Sequence, residues 1–265
     1  MKPFFISIPH SGERVPAEAD WLLGLPETVL MCDVDRFVDR LYRPVLDELE
    51  LPHVLTEWHR YVVDLNRLPE DVDSDSVMGS PHPSGKFTTG LHWVKTTLGN
   101  RLMPQPITRE LHEKLVDRYF QPFHKDVKSV YARFKSAGAK KVFHLDAHSM
   151  PSKGTKAHRD PGETRKAIVV SDGEGRSCDS AFKDLVIEAY SSAGLEVGYN
   201  WPYLGGRVTQ TYGQPDIGQH AIQVEINRAL YMDEGTKQII PDKAQALSRQ
   251  LAAAIRYIYQ RIEDI

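Results

Sequence analysis

The stretch Pro3-Phe-Phe-Ile-Ser-Ile-Pro-His10-Ser-Gly-Glu13 joins a short apolar run to two potential metal ligands. Residues 4–8 are apolar and β-prone and run directly into polar residues, so we expect a strand that ends in a turn. In open α/β sheets, functional side chains gather beyond the carboxyl ends of the strands. A neutral imidazole and a carboxylate supply two of the three protein ligands of a typical catalytic zinc site. The stretch therefore predicts a strand that delivers His10 and Glu13 to a metal ion.

Apolar, β-prone runs alternate along the chain with long amphipathic stretches. This alternation is typical of a mostly parallel, mixed sheet that is covered by helices on both faces. We therefore predict a single α/β domain that spans residues 1–265. The predicted strands are 4–8, 53–57, 141–145, 167–170, 196–199 and 221–226. The predicted helices are 34–49, 108–137, 178–193 and 242–262, and Pro122 is expected to kink or interrupt the second of them.

The composition of the 265-residue chain argues against several classes of protein. It is 41% hydrophobic and its net charge is −3 with both signs interspersed, which indicates neither a nucleic-acid-binding surface nor a basic membrane patch. No apolar run approaches the ~20 residues that a membrane-spanning helix needs. The amino terminus lacks the long apolar segment of a signal peptide, and the two cysteines, Cys32 and Cys178, form no disulfide framework. These features predict a protein of the reducing cytoplasm.

Two segments interrupt the pattern of strands and helices. Residues 68–106 contain many Pro, Gly, Ser and Asp residues, and residues 151–165 are polar and punctuated by Gly and Pro. Long irregular stretches in a compact domain are usually functional lids or loops. We therefore expect one domain with irregular insertions at these two places.

A second apolar run, 141–145, also leads into polar residues. Asp146 and His148 follow it and are two residues apart, so on an extended chain their side chains point the same way. His148 is a candidate third metal ligand. Asp146 is a candidate for the carboxylate that orients a ligating imidazole. His144 shares this face, and we interpret it as a hydrogen-bonded structural histidine.

A third run ends in Asp64-Leu-Asn66-Arg67 and contains Arg60 a few residues earlier. A guanidinium grips a carboxylate through two parallel hydrogen bonds, which a lysine cannot do. Arg60, Arg67 and the amide of Asn66 are therefore candidates for binding an anionic substrate. The alternative is that the arginines form structural salt bridges with Asp64 or Glu57.

A fourth region carries Arg207 after two glycines and places Glu225 inside an apolar strand. A carboxylate is costly to bury there unless it is paired or functional. Beside a metal site, Glu225 is a natural general base; the alternative is an ion pair with Arg207 or Arg228. Asp33 and Asp35 begin a predicted helix, so they are either helix caps or groups that orient a ligand.

Several of these segments together resemble the N-formylglutamate amidohydrolase family. The similar stretches are IPHSGERVP, DVDRFVDRLY, RYVVDLNR, HLDAHS, GGRVTQTYG and HAIQVEINRALYMDE, and they run from residue 8 to residue 234. The arrangement also resembles the wider superfamily of zinc carboxypeptidases and aspartoacylases, and it implies their phosphorylase/hydrolase-like fold. In this resemblance His10, Glu13 and His148 match zinc ligands.

The resemblance also assigns substrate-binding and catalytic roles. Asn66 and Arg67 match a clamp for the substrate carboxylate, Arg60 matches a catalytic arginine, and Glu225 matches the base. Arg207 and Tyr212 belong to the family's GGR…YG motif and are expected to contact the substrate. The implied cofactor is one Zn²⁺ per chain, although another divalent ion fits similar ligands.

The activity that the resemblance implies is hydrolysis of N-formyl-L-glutamate to formate and L-glutamate, a step of histidine degradation. The expected partner is therefore a small anionic amide, and the oligomeric state stays open. One alternative is a zinc carboxypeptidase or another amidase that acts on N-acyl amino acids or peptides, and another is a non-catalytic ligand-binding protein with this fold. An arginase-like enzyme is disfavoured, because Met150 stands where the second aspartate of its D-A-H-x-D motif is needed.

Overall fold

Six strands form one sheet, and the four neighbours at one side of it run parallel. The computed structural model describes residues 1–265. The strands are β1 (Phe4–Ile8), β2 (His53–Leu55), β3 (Val142–Met150), β4 (Ile168–Ser171), β5 (Val197–Tyr199) and β6 (Gln219–Asn227). Their order is β2-β1-β3-β6-β4-β5; β4 is antiparallel to β6, and β5 is parallel to β4. This confirms the predicted α/β fold with a mostly parallel, mixed sheet. A separate two-stranded pair is formed by β7 (Met232–Asp233) and β8 (Gln238–Ile239).

Helices cover both faces of the large sheet. They are α1 (Glu27–Leu30), α2 (Val38–Glu48), α3 (Arg109–Leu115), α4 (Gln121–Ser136), α5 (Ser180–Ser192), α6 (Arg207–Tyr212) and α7 (Pro241–Arg261). On one face, α2, α5 and α7 pack over a core of 35 buried residues. On the other face, α3, α4, α6 and parts of the irregular chain enclose 27 buried residues. No helix is both long and apolar enough to cross a membrane.

Two predicted helices differ from those observed. The helix predicted at 34–49 begins only at Val38, because Phe37 has a left-handed backbone with φ 70°. The helix predicted at 108–137 is divided into α3 and α4 by one π-helical turn, Val116–Phe120. Pro122 follows that turn and has no backbone N–H to donate, which explains the interruption.

Strands β3 and β6 are longer than the sequence predicts. They pair over nine residues, from Val142 with Gln219 to Met150 with Asn227. The polar residues of β3 do not end the strand; from Phe143 to His148 they alternate with apolar ones. Because successive side chains point to opposite faces, one face of the strand is apolar and the other polar.

This alternation gives the sheet a buried polar face. The apolar side chains of β1, β3 and β6 belong to the core beneath α2, α5 and α7. The opposite face carries buried polar residues at alternate positions. They are Ser7, His144, Asp146, His148, Gln223 and Glu225. The chemically reactive residues therefore lie together on the face opposite the larger core.

Both irregular stretches lie beside this polar face. Between β2 and α3, and again between β3 and β4, the chain contains neither helix nor strand of the main sheet. Strand β3 ends at the carboxyl edge of the parallel strands. Strand β4 is antiparallel to β6, so it begins at that same edge, and the segment that joins β3 to β4 both leaves and enters the sheet there. Residues 151–165 are thereby placed at the edge where His148 and Glu225 lie.

The hydroxyl pair of Tyr42 and Tyr190 gives a stability prediction. These side chains are fully buried on α2 and α5, and their oxygens are 2.7 Å apart. Tyr42→Phe leaves the Tyr190 hydroxyl buried without a partner, so we expect a loss of about 1–3 kcal/mol in the free energy of unfolding. Adding Tyr190→Phe removes that unpaired hydroxyl, so it should restore most of the lost free energy of unfolding, as measured by urea denaturation. Tyr257→Phe, which removes a hydroxyl that bonds Glu188 at the surface, is the control; a double variant that loses the sum of both single losses would contradict the prediction.

Candidate active site

A cavity of about 330 Å³ opens at the carboxyl edge of β1, β3 and β6. Its lining is mostly polar and includes most of the residues that the sequence singles out. Those in the lining are His10, Asp33, Asp35, Arg60, Asn66, Arg67, His148 and Glu225. Four predicted site residues are not in the lining: Glu13, Asp146, Arg207 and Tyr212. The sheet thus brings together residues that are up to 215 positions apart, from His10 to Glu225.

Three buried side chains in this cavity form a potential metal-binding group. His10, Asp35 and His148 each offer one ligand atom, and these atoms lie within 4.8 Å of one another. His10 follows β1, Asp35 precedes α2, and His148 belongs to β3. Two imidazoles and one carboxylate match the ligand types of catalytic zinc sites.

Both histidines are oriented by a further buried carboxylate. His10 Nε2 is 2.7 Å from Asp64 Oδ1, and His148 Nε2 is 2.8 Å from Asp146 Oδ2. An ionised carboxylate only accepts hydrogen bonds, so each Nε2–H donates. In the neutral rings the Nδ1 lone pairs are then available, as in the carboxylate–histidine pairs of metal sites.

The Nδ1 atoms show that these residues suit a cation. His10 Nδ1 is buried and has no hydrogen-bond partner, although it lies 3.5 Å from Asp35 Oδ2. His148 Nδ1 lies 3.1 Å from the same oxygen. Burial disfavours charge on both His148 and Asp35. Even so, Asp146, with a further contribution from Asp35, raises the pKa of His148 well above its usual value, and His10 and His148 hold the pKa of Asp35 well below its usual value. A positive charge is needed between these acceptors, and a divalent cation can take the place of a proton there.

The predicted ligand Glu13 does not join this group. Its carboxylate is paired with Arg36, whose Nε donates at 2.8 Å and whose Nη2 donates at 3.2 Å. Instead, the backbone N–H of Asp35 donates to the His10 carbonyl at 3.0 Å, which brings the Asp35 side chain beside the His10 ring. We therefore replace Glu13 by Asp35 as the candidate carboxylate ligand. Asp35 was predicted to cap a helix or to orient a ligand.

Glu225 lies next to His148 in the sheet and is almost fully buried. Its Oε1 accepts a hydrogen bond from Gln223 Nε2 at 2.9 Å. Burial is the main cause that raises the pKa of Glu225 to about 7, against the lowering effect of His148. A carboxylate with a pKa near neutrality can both take and return a proton.

The three arginines in the cavity lining differ in their counter-charges. Arg60 donates to Asp64 Oδ2 at 2.9 Å, and Arg228 donates to Asp35 Oδ1 at 2.9 Å. Arg67 donates only to backbone carbonyls, those of Thr89 and Asn66. Arg67 has no carboxylate within salt-bridge distance. Its positive charge is therefore the one that is free to pair with an anionic ligand.

The GGR…YG region is only partly in the site. Asn66 Oδ1 accepts from the Val208 backbone N–H at 2.7 Å, and a Cβ on Gly206 would lie only 2.0 Å from the Asn66 side chain. Glycine is thus required for this close approach. Arg207 lies in an adjoining cavity of about 420 Å³, which also includes Arg67.

Tyr212 does not support the predicted contact with substrate. Its hydroxyl is 2.9 Å from His124 Nδ1, and the side chain is buried beneath α4. Apolar packing draws the aromatic ring inward from the end of α6, so Tyr212 contributes to the core and not to the cavity.

Known proteins of one family are similar to this chain over most of its length. The sequence model of the family described as N-formylglutamate amidohydrolase matches residues 2–232. The chain belongs to this family.

Two relatives have names that agree with the family. An N-formylglutamate deformylase from Pseudomonas aeruginosa is 30% identical over 236 residues, which cover 88% of this chain and 83% of that protein. A deformylase of the same name from Pseudomonas putida is 27% identical and covers 96% of this chain and 92% of that protein. The crystal structure of N-formylglutamate amidohydrolase from Ralstonia eutropha is 25% identical, has a TM-score of 0.86, and covers 98% of this chain and 95% of that one.

Two important members of the site, Asp64 and Arg228, were not predicted as such from the sequence. Asp64 was considered only as a salt-bridge partner, yet it contacts both His10 and Arg60. Arg228 was considered as a partner of Glu225 but instead holds Asp35 and Ser149. The signal for Asp64 was present, because it is a carboxylate that directly follows the apolar run Tyr-Val-Val.

The ligand assignment predicts unequal effects at Asp35 and Glu13. Asp35→Asn removes the charged ligand, so we expect Zn²⁺ affinity to fall by more than about 100-fold, since even outer partners of ligands contribute about 10- to 100-fold. Glu13→Gln is the matched control and should bind Zn²⁺ like the wild type. Competition with a chromogenic chelator measures both affinities. Equal loss in the two variants would return Glu13 to the ligand set.

Proposed function

We propose that residues 1–265 form one metallohydrolase domain that hydrolyses N-formyl-L-glutamate to formate and L-glutamate. The observation that carries this proposal is the grouping of His10, Asp35 and His148 beside Glu225 on a chain of this family. The same reaction is implied by the names of the relatives. It would serve histidine degradation, and two buried, unpaired cysteines suit a reducing compartment such as the cytoplasm.

The proposed cofactor is one Zn²⁺ per chain, held by His10, Asp35 and His148. Such an ion supplies Lewis acidity toward a carbonyl oxygen and lowers the pKa of water near it. Asp64 and Asp146 keep the two imidazoles in the ligating orientation through their Nε2–H groups. Another divalent ion would fit similar ligands, with zinc favoured by the imidazoles.

Glu225 is the proposed general base. It takes a proton from the water that attacks the formyl carbon, so that a C–O bond forms. It then returns this proton to the amide nitrogen as the C–N bond breaks, which releases formate and the free amine of glutamate. A pKa of about 7 lets one group perform both transfers.

Arg60 is the proposed electrostatic stabiliser of the developing negative charge. Its guanidinium lines the cavity, its Nη atoms are held by Asp64 and by the Asp33 carbonyl, and its Nε has no partner within the chain. The side chain also packs on Trp93, with its guanidinium carbon 4.7 Å from the ring centroid. A cation held in this way needs little rearrangement when charge develops on the substrate oxygen.

Arg67 and Asn66 are the proposed carboxylate clamp. N-formylglutamate carries two carboxylates and no cationic group, so its recognition needs positive charge. Arg67 has no carboxylate partner within the chain, and the side-chain Oδ1 of Asn66 accepts from the Val208 N–H, which leaves the Asn66 Nδ2 to donate. Arg207, in the adjoining cavity, adds a second positive charge that draws an anionic substrate toward the site.

The direct test pairs metal analysis with a formate-release assay on N-formyl-L-glutamate. About one zinc per chain, together with formate release that a chelator abolishes and Zn²⁺ restores, would support the proposal. Zinc without formate release would refute the substrate but keep the metal site. Formate release that chelators do not affect would refute the metal mechanism.

The role of Glu225 predicts a variant that binds metal without turnover. Glu225→Gln should retain zinc but lose about 1,000-fold in kcat, within the usual contribution of general acid–base catalysis. Exposed Glu196→Gln is the control. Near-normal turnover by Glu225→Gln would disprove the base assignment.

The raised pKa of Glu225 also predicts the acid limb of the pH profile. The base works only when deprotonated, so kcat/KM of the wild type should rise with pH up to about 7. A bound cation lowers the pKa of Glu225, so the rise in kcat/KM would then occur at a lower pH and not at a higher one. A profile that falls as pH rises from 5 to 7 would contradict the assignment.

The clamp predicts an effect confined to charged substrates. Arg67→Ala should raise KM for N-formyl-L-glutamate about 100-fold, because hydrogen bonds between charged groups are the strong ones. The KM of the uncharged diamide of N-formylglutamate should change little. Arg249→Ala, at an exposed arginine far from the cavity, is the control. An equal rise for the diamide would show that Arg67 acts on the structure of the site and not on substrate charge.

A further inference from the structure

The irregular segment 151–165 forms one wall of the cavity and is firmly anchored. Arg165 and Asp160 are both buried and make two parallel hydrogen bonds of 2.7 and 2.8 Å. Arg165 also donates to the Tyr203 hydroxyl at 2.9 Å and to the Pro151 carbonyl at 3.2 Å. This ion pair closes the segment on itself and ties it to the neighbouring wall.

His158 is the ring that this segment presents to the cavity. It lies in the lining with Asp33 and Tyr203, and its ring centroid is 6.1 Å from that of Tyr203. The segment is also joined to the opposite loop, because Thr155 Oγ1 is 3.3 Å from the Thr97 carbonyl. The His158 imidazole is therefore held in place both by Tyr203 and by the contact between Thr155 and the opposite loop.

The hydrogen bonds of His158 determine its tautomer. The backbone N–H of Thr155 donates to Nδ1 at 3.0 Å, and Thr155 Oγ1 is 2.8 Å from the same atom. A backbone N–H can only donate, so Nδ1 must accept, and the proton of the neutral ring is on Nε2. Burial, helped by the charge of Arg165, lowers the pKa of His158 and favours this neutral form.

The Nε2 atom of His158 carries this proton but has no hydrogen-bond partner within the chain. Among the arginines in the lining, Arg60 and Arg228 are each paired with a carboxylate, and only Arg67 has no carboxylate partner. A substrate with two carboxylates therefore has one carboxylate that Arg67 does not bind. A donor-only N–H suits that group, because an ionised carboxylate only accepts.

We propose that His158 is a specificity-determining residue whose Nε2–H donates to the side-chain carboxylate of the substrate, while Arg67 binds the α-carboxylate. This inference rests on the proposed hydrolysis of N-formyl-L-glutamate. It gives residues 151–165 a function: they hold a neutral donor in a fixed tautomer at the wall of the cavity. Because the bond is to an ionised acceptor, it favours the acidic side chain over its amide.

The test measures KM and kcat for N-formyl-L-glutamate and N-formyl-L-glutamine in three variants. His158→Leu removes the donor, and we expect KM for the glutamate substrate to rise about 10- to 100-fold with little change in kcat. The preference for glutamate over glutamine should fall by a similar factor. His158→Gln retains an N–H donor and should restore KM to within a few-fold of wild type. Lys156→Ala, an exposed residue of the same segment, is the control and should behave like the wild type.

A second measurement does not depend on turnover. Nitrogen NMR of the wild-type imidazole should show Nε2 protonated and Nδ1 unprotonated at pH 7, and the Nε2 signal should shift when N-formyl-L-glutamate is added to the Glu225→Gln variant. Protonation of Nδ1 in the neutral ring would overturn the inference. So would unchanged KM in a folded His158→Leu protein, or an equal KM rise for both substrates.

Failure of the inference and of the proposed function can be told apart. If wild-type protein hydrolyses N-formyl-L-glutamate and His158→Leu does so with unchanged KM, only the role of His158 is wrong. If wild-type protein neither binds nor hydrolyses N-formyl-L-glutamate, the proposed function fails and this inference fails with it.

Discussion

The buried polar face of β1, β3 and β6 is the constraint on which the rest of the structure depends. Ionisable groups that leave water cost several kcal/mol each unless opposite charge and hydrogen bonds compensate them. Here Asp64 and Asp146 accept from the two imidazoles, and Asp35 is held by Arg228. This compensation requires residues from distant parts of the chain to meet, so the same interactions assemble the site and join the sheet to its loops.

The network leaves one position incompletely compensated. With both Nε2–H groups engaged, His10 Nδ1, His148 Nδ1 and Asp35 Oδ2 converge without enough protons to satisfy them. The proposed metal ion would supply the positive charge that these three atoms lack. The apolar core on the opposite face of the sheet supplies rigidity, so the proposed ion would meet ligand atoms that are already close together.

Local patterns predicted the elements better than they predicted the partners within the site. Alternation and helical spacing located every strand of the main sheet, and His10 and His148 were found because each follows an apolar run. Glu13 was predicted as a ligand but pairs with Arg36, and the bond from the Asp35 N–H to the His10 carbonyl brings Asp35 to the histidines instead. Such contacts between distant residues leave no periodic signal. The burial of Tyr212 was not predicted for the same reason, since a motif does not show which way an aromatic ring packs.

The irregular segments are where this site can be specialised. The residues proposed for metal binding and proton transfer come from the sheet and from turns that its core holds in place, so changes there would disturb both folding and chemistry. His158 and Tyr203 come from loops that meet through Arg165. A buried ion pair makes that loop wall rigid, and a rigid donor binds its acceptor without first losing conformational entropy. Substrate preference in this fold can therefore change by replacing loop residues while the metal ligands and the base stay the same.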